Sequence, residues 1–190
     1  MDYETHIEEA FIGLLREKAY DKISVSELCR CAKVSRKIFY GHFRDKRSIV
    51  EHLFNKHAIE PTRRLNDIFN AQDLNHMGEV VRNRFYEGIY AEKEYYINLA
   101  QGAEKSDSVF VDVVTSALDE WNRELFSRLG VALAPEKFSY ICYFYAAAQA
   151  MLLQRWINDG MMMPPAQIAS LFYEITGGYL GELAGTKLKD

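Results

Sequence analysis

No run of eighteen apolar residues occurs in the 190-residue chain, so no membrane-spanning helix is expected. Cysteine is scarce. Cys29, Cys31 and Cys142 cannot pair off completely, which excludes a disulfide framework and suits a reduced compartment. Cys29 and Cys31 lie two positions apart on one helix, point opposite ways and are not expected to bridge. Residues 1 to 20 are charged and amphipathic, unlike the basic-then-apolar order of a secretion signal, so the expected location is cytoplasmic. Alternating strand patterns, hairpin turn signals, internal repeats and low-complexity tracts are all missing, which leaves an all-α fold. Catalytic motifs are missing too: no Gly-rich phosphate loop, H-E-x-x-H, G-x-S-x-G or paired CxxC occurs. The histidines at 6, 42, 52, 57 and 76 include no i, i+4 pair to grip a metal. Neither an enzyme nor a metal or cofactor is therefore expected.

What is present concentrates between Ser24 and Lys46. Ser24 and Glu27 have the spacing of a capping box, and Ile23 before them is placed as a hydrophobic staple. Val25, Leu28, Cys29 and Ala32 recur at i, i+3, i+4 and i+7, one face of a two-turn helix. Lys33 and Val34 form a turn, with Val34 plugging the angle between helices. Ser35 caps a second helix whose Phe39 and Phe43 stand four apart. Two short helices joined by such a turn make a helix-turn-helix, which lays its second helix in the DNA major groove.

Charge follows the same boundary. From Arg30 to Arg47 seven basic residues (Arg30, Lys33, Arg36, Lys37, Arg44, Lys46, Arg47) face one acidic residue, Asp45, although the whole chain has a net charge of −4. Residues 48 to 190 hold 13 Lys or Arg and 19 Asp or Glu. A local excess of +6 on an acidic chain fits phosphate contact, although a solvated face on a plain helical hairpin has the same composition.

The run A-K-V-S-R-K-I-F-Y-G-H-F-R-D-K (residues 32–46) resembles the recognition-helix signature of the TetR/AcrR (tetracycline-repressor-like) transcriptional regulators, over about 45 N-terminal residues. Lys33 stands where the family often has Gly, and Ile38 where Thr or Ser is common. A left-handed Lys33 costs about 1 kcal/mol relative to Gly. Ile38 exchanges a hydroxyl for an apolar surface suited to a thymine methyl. The resemblance implies a three-helix DNA-binding domain over residues 1–46 and a helical effector-binding and dimerisation domain over 47–190. In it Arg36, Lys37 and Ile38 face base edges, while Tyr40, His42 and Lys46 meet the DNA backbone. Ser24, Lys33 and Ser35 complete the expected DNA-contacting set. Long basic side chains near a helix N-terminus reach guanine O6 and N7, which accords with that division.

Along the rest of the chain the helical pattern continues. Residues 3 to 19 form a first helix over the two that follow. A fourth opens at Asp45 or Lys46 and is expected to kink or restart at Pro61, between domains. Helices follow over about Leu74 to Tyr90, Lys93 to Gln101, Ser106 to Leu129, Pro135 to Asp159 and Pro165 to Leu183, broken by Gly102, Gly130, Gly160 and prolines. The C-terminal part is rich in aromatics, most of which any bundle uses as core. Buried tyrosines need hydroxyl partners, which suits an apolar cavity with polar handles. The resemblance implies such a cavity for a small-molecule effector, and Phe85, Tyr86, Tyr95, Phe110, Trp121, Tyr140 and Gln154, with Asn98 as a polar contact, are its expected wall.

One helix-turn-helix reads few base pairs, so a homodimer on a pseudo-palindromic double-stranded DNA operator is expected, with recognition helices about 34 Å apart. Ala146, Ala147, Ala148, Ala150 and Met151, together with the stripe Ile168, Leu171, Phe172, Ile175 and Tyr179, are the expected seam; the same stripe also suits packing inside one chain. The function this adds up to is a regulator, expected as a repressor released by a small molecule. An activator, or a small-molecule-binding protein of the same fold without DNA binding, is the alternative.

Overall fold

The computed structural model describes the backbone of residues 2–68, 71–101 and 109–183, and the side chains of these apart from residues 66, 68, 71–77, 101 and 178–183. Among the described residues every regular element is helical, as the missing strand signals require. In chain order these are α1 (Tyr3–Glu17), a 3₁₀ turn (Tyr20–Lys22), α2 (Val25–Cys31), α3 (Arg36–His42), α4 (Lys46–Phe54), a π turn (Asn55–Ile59) and α5 (Glu60–Ile68). The second half comprises α6 (Ala71–Ala91), α7 (Lys93–Gln101), α8 (Val109–Arg128), α9 (Pro135–Asn158) and α10 (Pro165–Leu183). No described helix is long and apolar enough to cross a membrane.

The first three helices form the N-terminal head around Ile7, Phe11, Leu28 and Phe39, all fully buried. Ser24 caps α2, its Oγ accepting from the Glu27 N–H at 3.2 Å. The return half of the expected capping box is subordinate. Glu27 gives its carboxylate chiefly to the Lys18 ammonium, 2.6 Å away, and this pairing draws the carboxyl below its usual range. A full box forms at α4 instead, where the Asp45 carboxylate accepts from the Ser48 N–H and the Ser48 hydroxyl from the Asp45 N–H.

Lys33 adopts φ +55°, the left-handed cap. The Val34 N–H reaches back to the Cys29 carbonyl at 2.9 Å and the Lys33 N–H to that of Arg30 at 3.2 Å, closing a Schellman motif. Val34 itself packs against the core and sets the angle between α2 and α3.

The helix does not restart at Pro61: α4, the π turn and α5 run on contiguously. Proline has no N–H for the carbonyl four residues back, His57, and its ring crowds that carbonyl. The chain relieves both by widening the preceding turn, where the Glu60 N–H bonds to Asn55 O, five residues away. Gly88 of α6 crosses at this point, so close that a Cβ there would lie 2.0 Å from the His57 carbonyl oxygen.

α8 and α9 pair along their length, and α6 packs on α5 and α10. One hydrophobic core runs from Ile7 in the head to Ala169 in α10. The head is therefore seated on the bundle, through α1 on α7 and α4 on α8, and not tethered to it. Gly130 and Gly160 close α8 and α9 with φ +77° and +73°, as the punctuation suggested; Gly102 lies outside the described residues.

Candidate DNA interface and bundle interior

The short α3 has two unlike faces. Phe39 is fully buried and Phe43, just beyond the helix, nearly so, while Arg36, Lys37 and Tyr40 stand on the outside, Tyr40 with 55% of its surface exposed. Ile38 is half-buried between the faces. Ser35 caps the helix, accepting from the Ile38 N–H at 3.2 Å. Arg36 reaches to the Ser26 hydroxyl of α2 at 2.9 Å, an exposed neutral contact that leaves its charge unmatched. His42 is exposed at the far end of α3, 3.9 Å from the Glu4 carboxylate and edge-on to Tyr3. Ser24, Lys33, Ser35, Arg36, Lys37 and Tyr40 are thus all exposed, on α2, α3 and the turn between them.

Lys46 departs from its expected role. Its ammonium points inward, donating to the carbonyls of Tyr20 at 2.8 Å and Ile23 at 3.0 Å and lying 4.2 Å from the centre of the Tyr20 ring. The 3₁₀ turn leaves carbonyls without helical partners, and the start of α4 passes close enough to supply the donor. Burial draws the Lys46 pKa below its ordinary value. Lys46→Ala is accordingly expected to cost about 1 to 2 kcal/mol. In thermal unfolding followed by circular dichroism that is a loss of about 3 to 6 °C. The slope of log affinity against log salt on duplex DNA should stay unchanged; a slope smaller by one would restore the phosphate role.

A second polar group lies where α1 meets α4. Glu8, almost wholly buried, accepts from Lys56 at 2.6 Å and pairs with His52 at 2.8 Å, while Glu4 stands 3.6 Å from the same imidazole. Glu4, Glu8 and His52 have the mutual spacing of metal ligands. Both Glu8 oxygens are already engaged, and the group reads as an ion-pair seam fastening α1 to α4. Sequence spacing missed it, because His52 comes from a distant helix.

Of the expected effector wall, Phe85, Tyr86, Tyr95, Phe110 and Trp121 are buried in the bundle. Phe85 and Tyr86 meet edge to face with centroids 5.2 Å apart, and Tyr96 bridges Tyr95 (4.8 Å) and Phe110 (6.0 Å). The buried Tyr86 and Tyr95 hydroxyls have no hydrogen-bond partner of good geometry. Gln154 is half-buried. Asn98 lines, with Ala91, Lys93, Glu94 and Ile97, an open groove of about 490 Å³. Tyr140 is a correction: it is 71% exposed. It precedes the fully buried Cys142 by two positions, which on a helix is the opposite side.

The sequence reading also passed over two residues. His57, in the π turn, lies between the Tyr95 and Tyr96 rings with its Nδ1 3.3 Å from the Tyr96 hydroxyl. Burial lowers its pKa to about 4. Arg82 is half-buried between α6 and α10, its guanidinium 4.0 Å from the centre of the Tyr173 ring.

The expected seam divides. Ile168 is a correction, being 3% exposed and part of the core, and Ala146 and Ala150 are buried with it. Ala147, Leu171 and Phe172 are half-buried, Met151 and Ile175 are exposed, and the Tyr179 side chain lies outside the described residues. The outward face of α9 includes Tyr140, Tyr143, Phe144 and Met151, and with Ile175 of α10 these are large apolar side chains in water, Phe144 at 63% and Ile175 at 71% exposure.

A charged helix-turn-helix head on an all-helical bundle defines a class of DNA-binding regulator, and comparison with known proteins identifies the family. Residues 9–53 match the family described as bacterial regulatory proteins, tetR family, and residues 78–178 match its transcriptional regulator C-terminal region. The chain belongs to the TetR family of transcriptional regulators. It is 28% identical over 161 residues to the HTH-type dhaKLM operon transcriptional activator DhaS of Lactococcus lactis subsp. lactis (strain IL1403), covering 81% of this chain and 79% of that protein. It is 22% identical over 174 residues to the HTH-type transcriptional regulator YxbF of Bacillus subtilis (strain 168), covering 90% of this chain but 44% of YxbF. The solved structure of the dihydroxyacetone kinase operon activator DhaS superposes with a TM-score of 0.59 at 18% identity, over 96% of this chain and 98% of that one. NalD, the secondary repressor of the MexAB-OprM multidrug efflux pump in Pseudomonas aeruginosa, superposes at 0.53 and 19% identity over 91% and 94%.

Proposed function

We propose that the chain binds a pseudo-palindromic DNA operator as a homodimer and that a small molecule in the C-terminal bundle adjusts that binding. The observation that carries the proposal is the division of α3, with Phe39 locked in the core while Arg36, Lys37 and Tyr40 stand outward within a stretch of net charge +6. The guanidinium of Arg36 suits bidentate contact with guanine, and Tyr40 and His42 suit phosphate oxygens. The exposed apolar face of α9 and α10 supports a two-fold seam, since monomers rarely leave such patches uncovered. Release of repression by the effector is the proposed output. Activation is the second reading, favoured by the likeness to DhaS, itself named as an activator.

Selecting bound fragments from genomic DNA and measuring fluorescence anisotropy on them tests the proposal. Arg36→Ala is expected to reduce the preference for the selected fragment over a scrambled duplex by about tenfold or more. Sedimentation should give about twice the 22.0 kDa chain mass. Undiminished discrimination by the variant, or a single-chain mass at micromolar concentration, overturns it. A reporter gene placed behind the selected fragment gives the sign of the output.

A further inference from the structure

Among the described residues the buried polar side-chain atoms without a hydrogen-bond partner are the Arg63 Nε and the Tyr86 and Tyr95 hydroxyls. Arg82 stands one turn before Tyr86 on α6. Among the described residues its guanidinium meets the Tyr173 ring and has no carboxylate within 4.0 Å, and the side chain is half-buried between α6 and α10. Glu79, one turn back, is exposed and acts on it only at a distance. Arg16, Arg44, Arg47, Arg64 and Arg155 have carboxylate partners, whereas Arg36 and Arg84 lack one among the described residues but stand exposed to solvent. Burial without a counterion pulls the Arg82 pKa down from its ordinary value. A half-buried guanidinium without a carboxylate partner can take an anion from outside the chain without losing an existing ion pair.

The surroundings are shaped for that anion. Gly78, Arg82 and Tyr86 follow at four-residue steps on one face of α6. At Gly78 a Cβ would come within 3.0 Å of an Arg82 terminal nitrogen, so the glycine leaves room for the guanidinium. Tyr173 lays its ring over the guanidinium and can do so because residue 177 is glycine: a Cβ there would lie 2.4 Å from the ring. Tyr86 is 1% exposed and its hydroxyl has no hydrogen-bond partner of good geometry; Gln149 approaches it from α9 without closing one. Its ring also meets Trp156, with centroids 5.9 Å apart. One cation, one phenol hydroxyl and one amide among aromatic rings supply a single positive charge, a few donors and an apolar lining.

We propose that Arg82, Tyr86 and Gln149 bind the carboxylate of an aromatic or otherwise apolar organic acid, the Arg82 guanidinium taking it bidentately and the Tyr86 hydroxyl donating to it. Inorganic phosphate fits less well, because a dianion needs more charge and more donors than the site holds. The inference rests on the reading that the bundle holds a small molecule and specifies the chemistry of that molecule. The Tyr173 ring covers one face of the half-buried guanidinium, and its N–H edge is left to take the carboxylate.

The test is calorimetric titration of the full chain, without DNA, with benzoate, phenylacetate and 3-phenylpropionate, with their amides, and with inorganic phosphate. At least one acid is expected to saturate, and its amide to bind at least about tenfold more weakly. Arg82→Gln should abolish the preference for acid over amide, and Tyr86→Phe should weaken acid binding severalfold. Tyr86→Phe removes a buried hydroxyl without a partner and should melt no lower than the parent, while Arg82→Gln, which gives up the Tyr173 ring contact, is read by its acid-to-amide ratio. Equal binding of acid and amide, phosphate binding as tight as the best acid, unchanged acid binding by Arg82→Gln, or no saturation by any acid at about 10 mM (about ten-thousandfold weaker than a micromolar ligand) overturns the inference. Anisotropy on selected DNA, run separately, shows whether the regulator reading survives that failure.

Discussion

Gly88→Ala is expected to lower stability by about 3 kcal/mol or more, against the gain that Gly→Ala ordinarily brings inside a helix. The added methyl would sit 2.0 Å from the His57 carbonyl oxygen and 3.1 Å from its carbon, and both are backbone atoms that no rotamer change can move. Either α6 withdraws from the π turn, opening gaps around Ala58 and Ile89, or the π turn itself refolds against Pro61. Gly13→Ala, in α1, is the matching control, because nothing lies within 4 Å of its added Cβ. That substitution should stabilise by about 0.5 to 1 kcal/mol. Urea unfolding of the two variants beside the parent reads the difference, and a Gly88→Ala protein as stable as the parent would mean the helices do not cross this closely.

The second large effect is expected from pH. His57 has a pKa of about 4 in the folded chain, against an ordinary value of 6.5, because burial among Tyr95 and Tyr96 disfavours the imidazolium and Lys56 adds repulsion. Glu8 acts the other way and His52 adds a small further repulsion. In the sign of the linkage, the unfolded chain takes up the proton first as pH falls below 6.5, so stability is lost from there down to pH 4. At about 1.4 kcal/mol per pKa unit the site accounts for about 3 kcal/mol across that window. His57→Gln should remove this component, leaving a shallower loss between pH 6.5 and 4.5, before carboxylates titrate in earnest. Parallel stability curves for parent and variant in that window would show that the imidazole is not held neutral.

Much of the head was legible in the chain because its signals are local. Ser24 and Ser35 cap the helices they precede, and Lys33 has the left-handed turn that its alignment with glycine implied. Lys46 was misplaced because the carbonyls that claim it belong to Tyr20 and Ile23, more than twenty residues away, and a basic residue beside a basic patch looks the same whichever way it points. Pro61 was given its ordinary effect on an α-helix. The cheaper response was a π turn, and that depends on Gly88 allowing α6 to approach, a fact no local window contains. In α9 the apolar residues run nearly all round the helix, so periodicity could not separate the inner Tyr145 from the outer Tyr140 and Phe144. Arg82 and His57 escaped notice for a related reason: a lone ionisable residue becomes informative only once its neighbours are known not to neutralise it.

Because Lys46 is fastened to the carbonyls beneath the head and its helix runs on without a break to residue 68, the head has no independent swivel at that junction. The lever so formed spans residues 46 to 68, about 35 Å at roughly 1.5 Å per residue, and a tilt of about 5° at its distal end carries the outward face of α3 about 3 Å sideways. The rise between successive base pairs is about 3.4 Å, so in the proposed homodimer even that modest rocking would put the two faces out of step with the groove.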